Sequence, residues 1–296
     1  MRSRGINQED YLVAKLSVVT PSYRPDLELC RDLHASLQRY GPLGIQHRVV
    51  VPRRDRDLFA GIGEVLTVDE FLPRSFRALP GNLWVNMRRP VPLVRGWIAQ
   101  QLIKLATVVA SDADLVLLVD SDMVFVRPFT DAQFYRGSTA RFYRLPDAID
   151  ERLPRHVLWH KVARRLLGLP PARRLPLPDY ICWPMCWDPH IVRDMLAHVA
   201  RVTGVPWATA IGAEMHFSEG ILYGVYVDEI LGGSNFAEQT MLCIAYSAEI
   251  PLDEAGIRAF VAKLSLADIA VMISAKSATD QAARRRALAD CGLEES

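Results

Sequence analysis

No stretch of these 296 residues approaches the ~20 consecutive apolar residues that an α-helical bilayer span requires. Charge of either sign is also not in excess. Lys and Arg total 35 against 34 Asp and Glu, a formal net charge of +1. A protein that works on a nucleic-acid backbone needs a basic surplus, so this balance argues against such a partner. Cysteine is sparse and odd in number. The five (Cys30, Cys182, Cys186, Cys243 and Cys291) make no small-domain disulfide framework and fit a reducing compartment. Cys182 and Cys186 stand at C-x3-C, but no second Cys or His pair follows at zinc-site spacing. The opening MRSRGINQED is polar and holds no apolar region of secretory type. These absences predict a cytoplasmic protein with no transmembrane segment and no nucleic-acid partner.

What is present is an ordinary globular composition, 50% apolar and 23% charged, long enough to bury a sizeable core. In the first half, strand-like and helix-like segments alternate. LVAKLSVVT (12–20) reads as a strand that runs into Thr20-Pro21-Ser22-Tyr23. The following segment 26–40 carries apolar residues at 29, 33 and 37, a helical period closed by Gly41-Pro42. Further strands are predicted over 45–52 and 64–71, a long surface loop over 73–95, a helix over 97–110 and a strand over 115–119. The second half is less regular. It predicts a basic helix in RHVLWHKVARRLLGL, a strand in YICWPMCW (180–187) and a helix over 188–204 begun by Asp188-Pro189. Further on come a helix over 216–231, one over roughly 252–263, and a strand over 269–274. Strand–helix–strand order with apolar strands implies an α/β fold, a mostly parallel sheet wrapped by helices, in a single domain. Ligands of such open sheets bind beyond the carboxyl ends of the strands, where both Thr20–Tyr23 and Asp120-Ser121-Asp122 fall.

LVLLVDSDMVFVRP (115–128) carries the clearest chemical signal: an apolar strand ends in two carboxylates separated by one residue. Asp-x-Asp on an extended chain places both side chains on one side, roughly 6–7 Å apart at the backbone. Asp120 and Asp122 so placed can hold Mg²⁺ or Mn²⁺ and leave coordination positions to substrate phosphates. The bland alternative is a pair of acidic residues capping a turn at the sheet edge.

This stretch, the preceding WIAQQLIKLA and the N-terminal SVVTPSYRPDLELCRDLHASL together resemble a GT-A-type glycosyltransferase. The chain is also similar to a bacterial group of proteins of this size that carry W-x-x-Q-Q-x-x-K-L and SE-x-x-x-YG segments. The resemblance implies a GT-A-like fold, with a nucleotide-sugar-binding half (12–130) and an acceptor-binding, catalytic half (131–296). It implies that Thr20, Pro21, Tyr23 and Arg24 hold the nucleotide, with Asp26 or Glu28 as neighbours. Gln101 and Lys104 would reach the ribose or donor sugar. Asp120 and Ser121 would lie on the ribose or a metal-bound water, and Asp122 on the metal itself, Mn²⁺ or Mg²⁺. Trp97, Gln101 and Lys104 do share one helix face at i, i+4, i+7; a solvated lysine is the plain alternative for Lys104.

Transfer with inversion also needs a general base within about 3 Å of the acceptor hydroxyl. By the resemblance Glu219, just after the N-cap candidate Ser218, takes that role, with His216 as substitute base or acceptor ligand. A carboxylate there also favours the positive helix end. Trp183 and Trp187 would offer flat faces to the acceptor, though core packing explains either one as well. Asp228 and Glu229 read as a solvated face. Metal-dependent members of the superfamily add a late His followed by a Lys on the diphosphate; no His follows His216 here, while Lys276 remains to reach the diphosphate. The expected reaction moves a sugar from a nucleoside-diphosphate donor, a UDP-sugar first, to a hydroxyl-bearing small molecule or bacterial glycan. The alternatives are a catalytically inactive sugar-nucleotide scaffold, a haloacid-dehalogenase-type phosphatase using Asp120, and a nucleotidyltransferase. The last would want a Gly-rich basic loop that TPSYRPD lacks.

Overall fold

Six consecutive buried residues, Leu16–Pro21, form the central strand β1. A strand covered on both faces needs apolar side chains at successive positions, and Val18 and Val19 accordingly enter two different core layers. In the computed structural model, which describes residues 15–172 and 174–289, β1 is followed by α1 (Leu27–Tyr40), β2 (Gln46–Val51) and β3 (Glu64–Thr67). Next come three short strands, β4 (Phe76–Leu79), β5 (Leu83–Asn86) and β6 (Arg89–Arg95), then α2 (Gly96–Val109), β7 (Leu115–Leu118) and β8 (Met123–Phe125). The second half supplies α3 (Pro154–Leu166), β9 (Met185–Trp187), α4 (Pro189–Thr203), α5 (Trp207–Gly212) and α6 (Glu219–Val225). Last are β10 (Cys243–Tyr246), α7 (Glu254–Val261), β11 (Ala270–Ile273) and α8 (Gln281–Ala289).

The main sheet has the order β9–β7–β1–β2–β3; only β9 is antiparallel to its neighbour. It is a mostly parallel α/β sheet with helices on both faces. Val19, Val50, Val116 and Leu118 pack toward α2, α4 and α6, while Leu115, Leu117 and Val119 pack toward Leu33 and Leu37 of α1. A smaller sheet, β10–β11–β8, lies at the carboxyl end of β7. The chain therefore leaves β7, turns through Asp120-Ser121-Asp122, and enters a different sheet at Met123. The turn is closed by the Met123 N–H donating to Asp120 O at 3.1 Å.

Several expectations need correction. Residues 73–95 are not a loop but a three-stranded antiparallel sheet, β4–β5–β6. The prolines that argued for a loop sit at its turn and on its edge strand, where a missing N–H costs no ladder bond. In YICWPMCW only Met185–Trp187 is strand. The segment 64–71 divides into β3 and a single helical turn, Val68–Phe71, entered through a Thr67/Glu70 capping box. The predicted helix 216–231 is α6 followed by a wide turn, Tyr226–Ile230. Of the two acidic residues in that turn, Glu229 is exposed as expected, whereas Asp228 is partly buried and not part of a solvated face. Asp228 accepts from Arg144 Nε and Tyr180 Oη, both at 2.8 Å, and Glu229 pairs with Arg164. The opening decapeptide, positions 12–14 of the first predicted strand, the end of the arginine-rich tail and Cys291 lie outside the described residues.

One glycine in α6 is demanded by packing. A Cβ on Gly224 would lie 2.0 Å from Tyr180 Cγ and 2.4 Å from Tyr180 Cβ, too near the backbone for a rotamer change to relieve it. Gly224→Ala is expected to cost about 3 kcal/mol in urea unfolding, the upper range for an overpacked core. A loss below about 1 kcal/mol would mean α6 is free to shift away from Tyr180.

Candidate functional site

Asp120 stands two residues past the last residue of β7, and of the α2 face that bears Trp97, Gln101 and Lys104 it is Lys104 that reaches the turn. Lys104 is 6% exposed. Its Nζ lies 2.8 Å from Asp120 Oδ1 and 3.3 Å from Glu219 Oε1, joining the end of β7 to the start of α6. The Asp120 contact is an ion pair rather than a well-angled hydrogen bond. Burial alone would lower the Lys104 pKa, but the two carboxylates more than offset it and hold the ammonium charged above its ordinary range. Lys104 is thus not a solvated lysine; it is a buried cation shared by the buried Glu219 and the partly exposed Asp120.

Gln101 is committed to the fold. Its Oε1 accepts the Glu219 backbone N–H at 2.8 Å, satisfying one orphan donor of α6, and its Nε2 donates to Trp97 O. Ser218 caps the same helix, accepting the Ile221 N–H. Gln101 is 2% exposed, so the two bonds it makes here are internal to the fold. The two quoted motifs therefore read physically as one assembly. Trp97 stacks on Trp159 at 5.4 Å, Gln101 fastens α6, Lys104 pairs with Glu219, Tyr223 stacks on Trp187 at 5.0 Å, and Gly224 admits Tyr180.

The other arm of the turn is held from the C-terminal part of the chain. Asp122 Oδ2 accepts the Ala275 N–H at 2.8 Å, while Asp122 Oδ1 is buried without a hydrogen-bond partner. Arg284 of α8, 4% exposed, donates to Asp122 O at 2.9 Å and Ile273 O at 2.8 Å. Ser121 Oγ donates to Asp26 Oδ2 at 3.4 Å, bringing the β1 loop onto the turn. Burial, then the Asp120 charge, push the Asp122 carboxyl up to about 6. Asp26 is raised to about 6 mainly by burial, against a lowering by Ser121. Four carboxylates (Asp26, Asp120, Asp122, Glu219) thus gather around two cations, Lys104 and Arg284.

The β1 loop is itself braced. Thr20 is fully buried, its Oγ1 3.0 Å from His47 Nε2, and Pro21 is buried beside it. Their side chains brace the loop from within the fold. Tyr23 is 46% exposed, and the exposed Arg24 donates its backbone N–H to the buried Asp55. Glu28 faces away, paired with Arg31 and Arg285. Lys276 sits beside Ala275, but its ammonium lies 3.8 Å from Glu249 at the surface.

On the acceptor side the expectations divide. Trp187 is 3% exposed and stacked on Tyr223, packed into the core at the wall of the pocket that Trp183 also lines. Trp183 is half-buried and lines a small pocket with Arg141, Cys182 and Thr240, which Lys104, Asp120 and Glu219 do not line. His216 is exposed, two residues before the cap of α6. Among the described residues no three His, Cys, Asp or Glu side chains are placed to form a metal cage.

Arg284, Asp55 and the Ala275 N–H were not found from sequence. Arg284 hides in a run of three arginines, and only the spacing to Ala283 and Ala287, both buried, marks it as inward.

Residues 12–266 match the family model of DUF6492, a family of unknown function. The chain belongs to this family. No curated protein matches the chain by sequence. Lys104, Asp120, Asp122 and Glu219 lie inside the matched residues, whereas Lys276 and Arg284 lie beyond them.

Proposed function

We propose that this DUF6492 protein is a glycosyltransferase of GT-A-like architecture, moving a sugar from a nucleoside-diphosphate donor, a UDP-sugar foremost, to a hydroxylated acceptor. The observation that carries this reading is the Asp120-Ser121-Asp122 turn, with Asp122 Oδ1 buried and unpartnered beside a second carboxylate at the carboxyl end of a parallel sheet. Two tests support a divalent cation there. The unpartnered oxygen lacks a positive group to coordinate, and four carboxylates against two cations leave two negative charges unbalanced when all are ionised. With no three-residue cage among the described residues, the cation would be held by Asp120 and Asp122, with substrate phosphates and water completing its shell, as suits Mg²⁺ or Mn²⁺. When bound, it supplies Lewis-acid neutralisation of the departing diphosphate.

The chain's own residues account for the rest of the reaction. Tyr23 and the backbone of Arg24 border the nucleotide side of the turn. Lys104 holds Asp120 and Glu219 in fixed relation across the sheet end. Glu219 is the base for an inverting transfer. As the acceptor oxygen bonds to the sugar carbon and the bond to the diphosphate breaks, the acceptor proton passes to the Glu219 carboxylate. Lys104 keeps Asp120 as its counterion after Glu219 is neutralised.

The test is thermal unfolding with UDP, GDP, dTDP or CDP, each with and without Mn²⁺. A ligand that binds only the folded state raises its stability by mass action. One nucleoside diphosphate is expected to raise the Tm by several degrees, and only in the presence of Mn²⁺. Failure of all four to shift it would sink the proposal.

A further inference from the structure

The β4–β5–β6 sheet has no role in the site, yet its composition is unusual for a neutral protein. Residues 72–95 contain five arginines (Arg74, Arg77, Arg88, Arg89 and Arg95) and no Asp or Glu. Among the described residues none of the five pairs with a carboxylate, whereas arginines elsewhere such as Arg31, Arg144, Arg164, Arg285 and Arg286 do. All five are exposed. Exposed between them are large aliphatic side chains: Val91 at 76%, Met87 at 65%, Leu93 at 42% and Leu79 at 38%.

The pleat explains this display. Phe76, Trp84 and Val94 turn toward the body, where Phe76 and Val94 are buried. Alternation then sends Arg77, Leu79 and Leu93 to the opposite face. Met87, Arg88, Arg89 and Val91 crown the β5–β6 hairpin. The sheet is fixed in place rather than waving: Asn86 Nδ2 donates to Thr209 Oγ1 at 3.3 Å, and Arg95 donates to Met215 O. That second bond fastens it to the loop leading to Glu219.

We propose that this sheet docks the protein on an anionic lipid bilayer. Unpaired arginines meet lipid headgroup charge, each worth a several-fold gain in binding near the surface, while Met87 and Val91 enter the acyl boundary. The aliphatic crown favours a bilayer over nucleic acid, whose interfaces are polar and strongly charged. Addition of a protein strand at β6 is disfavoured because this edge strand carries Pro90 and Pro92, which cannot complete a ladder. No helix of the described residues is long and apolar enough to cross a membrane, so the contact is at the surface. The proposal does not depend on sugar transfer.

The experiment is co-sedimentation of the full chain with phosphatidylcholine vesicles, with and without added phosphatidylglycerol. Binding is expected to require the anionic lipid and to fall with added salt. Arg88→Glu with Arg89→Glu should weaken it at least about tenfold with an unchanged Tm, since both side chains are exposed. Met87→Ser with Val91→Ser should make the remaining binding more salt-sensitive. Lys263→Glu, an exposed reversal elsewhere, should leave binding unaltered. Absence of binding to anionic vesicles, or equal binding by the Arg88/Arg89 reversal, overturns the proposal. Capture by a single-stranded RNA without capture by vesicles overturns it in favour of a nucleic-acid surface.

Discussion

Lys104→Met is expected to destabilise the protein by about 3–5 kcal/mol, the cost of removing one member of a buried ion cluster. The ammonium is the one cation within 4 Å of either Asp120 or Glu219 among the described residues; it and Glu219 are buried, while the Asp120 side chain is 31% exposed. Met fills nearly the same volume, so the loss reports charge rather than packing. What remains is a buried carboxylate, Glu219, and a partly buried one, Asp120, that have both lost their counterion. Urea unfolding at neutral pH measures the effect. The decisive comparison is the double variant Lys104→Met/Glu219→Gln, in which one negative charge leaves with the positive one. It should be more stable than Lys104→Met alone by more than about 1 kcal/mol, the signature of coupled groups. Lys104→Arg should not restore full stability, because a planar fork does not reproduce a compact point charge between two acceptors. Additive losses in the double variant would show that the triad is a coincidence of proximity.

That triad shows where the sequence was legible and where it was not. The period of α2 put Trp97, Gln101 and Lys104 on one face, and the apolar run before Asp120 marked a buried strand end; both follow from local spacing. Whether Lys104 was solvated or buried depended on Glu219, 115 positions away, and no local pattern carries that distance. The Pro-rich segment 73–95 misled for a related reason. Its strands are short and half-exposed, and β6 alternates imperfectly across a register shift, so turn residues dominate the reading. Trp187 was ambiguous between stacking on a ligand and stacking on Tyr223, and only the fold supplies that second ring. Arg284 was lost among Arg285 and Arg286, which pair at the surface with Asp32 and Glu254 while their neighbour turns inward. Chemistry that needs local spacing could be found; chemistry assembled by the return of α8 to the turn could not.

Asp122→Asn is expected to abolish Mn²⁺-dependent stabilisation by nucleoside diphosphate and to slow sugar transfer about 10²-fold or more, since charge neutralisation of the leaving group is worth several kcal/mol. The same substitution should change the pH dependence of the protein without metal. Asp122 and Asp26 both titrate near 6 in the folded chain, against about 3.8 for an unperturbed carboxylate. Between these values the folded state holds protons that the unfolded state has released. Stability from the two groups is therefore complete below about pH 4 and declines as pH rises through 6. An amide at 122 does not ionise; its oxygen can still accept the Ala275 N–H, and its NH₂ can face the Asp120 charge. The Asn variant should accordingly lose less stability between pH 4 and pH 7, by about 2 kcal/mol, and become the more stable protein at neutral pH without metal. Mn²⁺ should reverse that order, because a cation replaces the protons that wild type gives up. Its effect on wild type should be larger at pH 7 than at pH 5. Urea unfolding across this range with EDTA or Mn²⁺ makes the measurement, and a nucleotide response to Mn²⁺ that survives Asp122→Asn would remove Asp122 from the metal site.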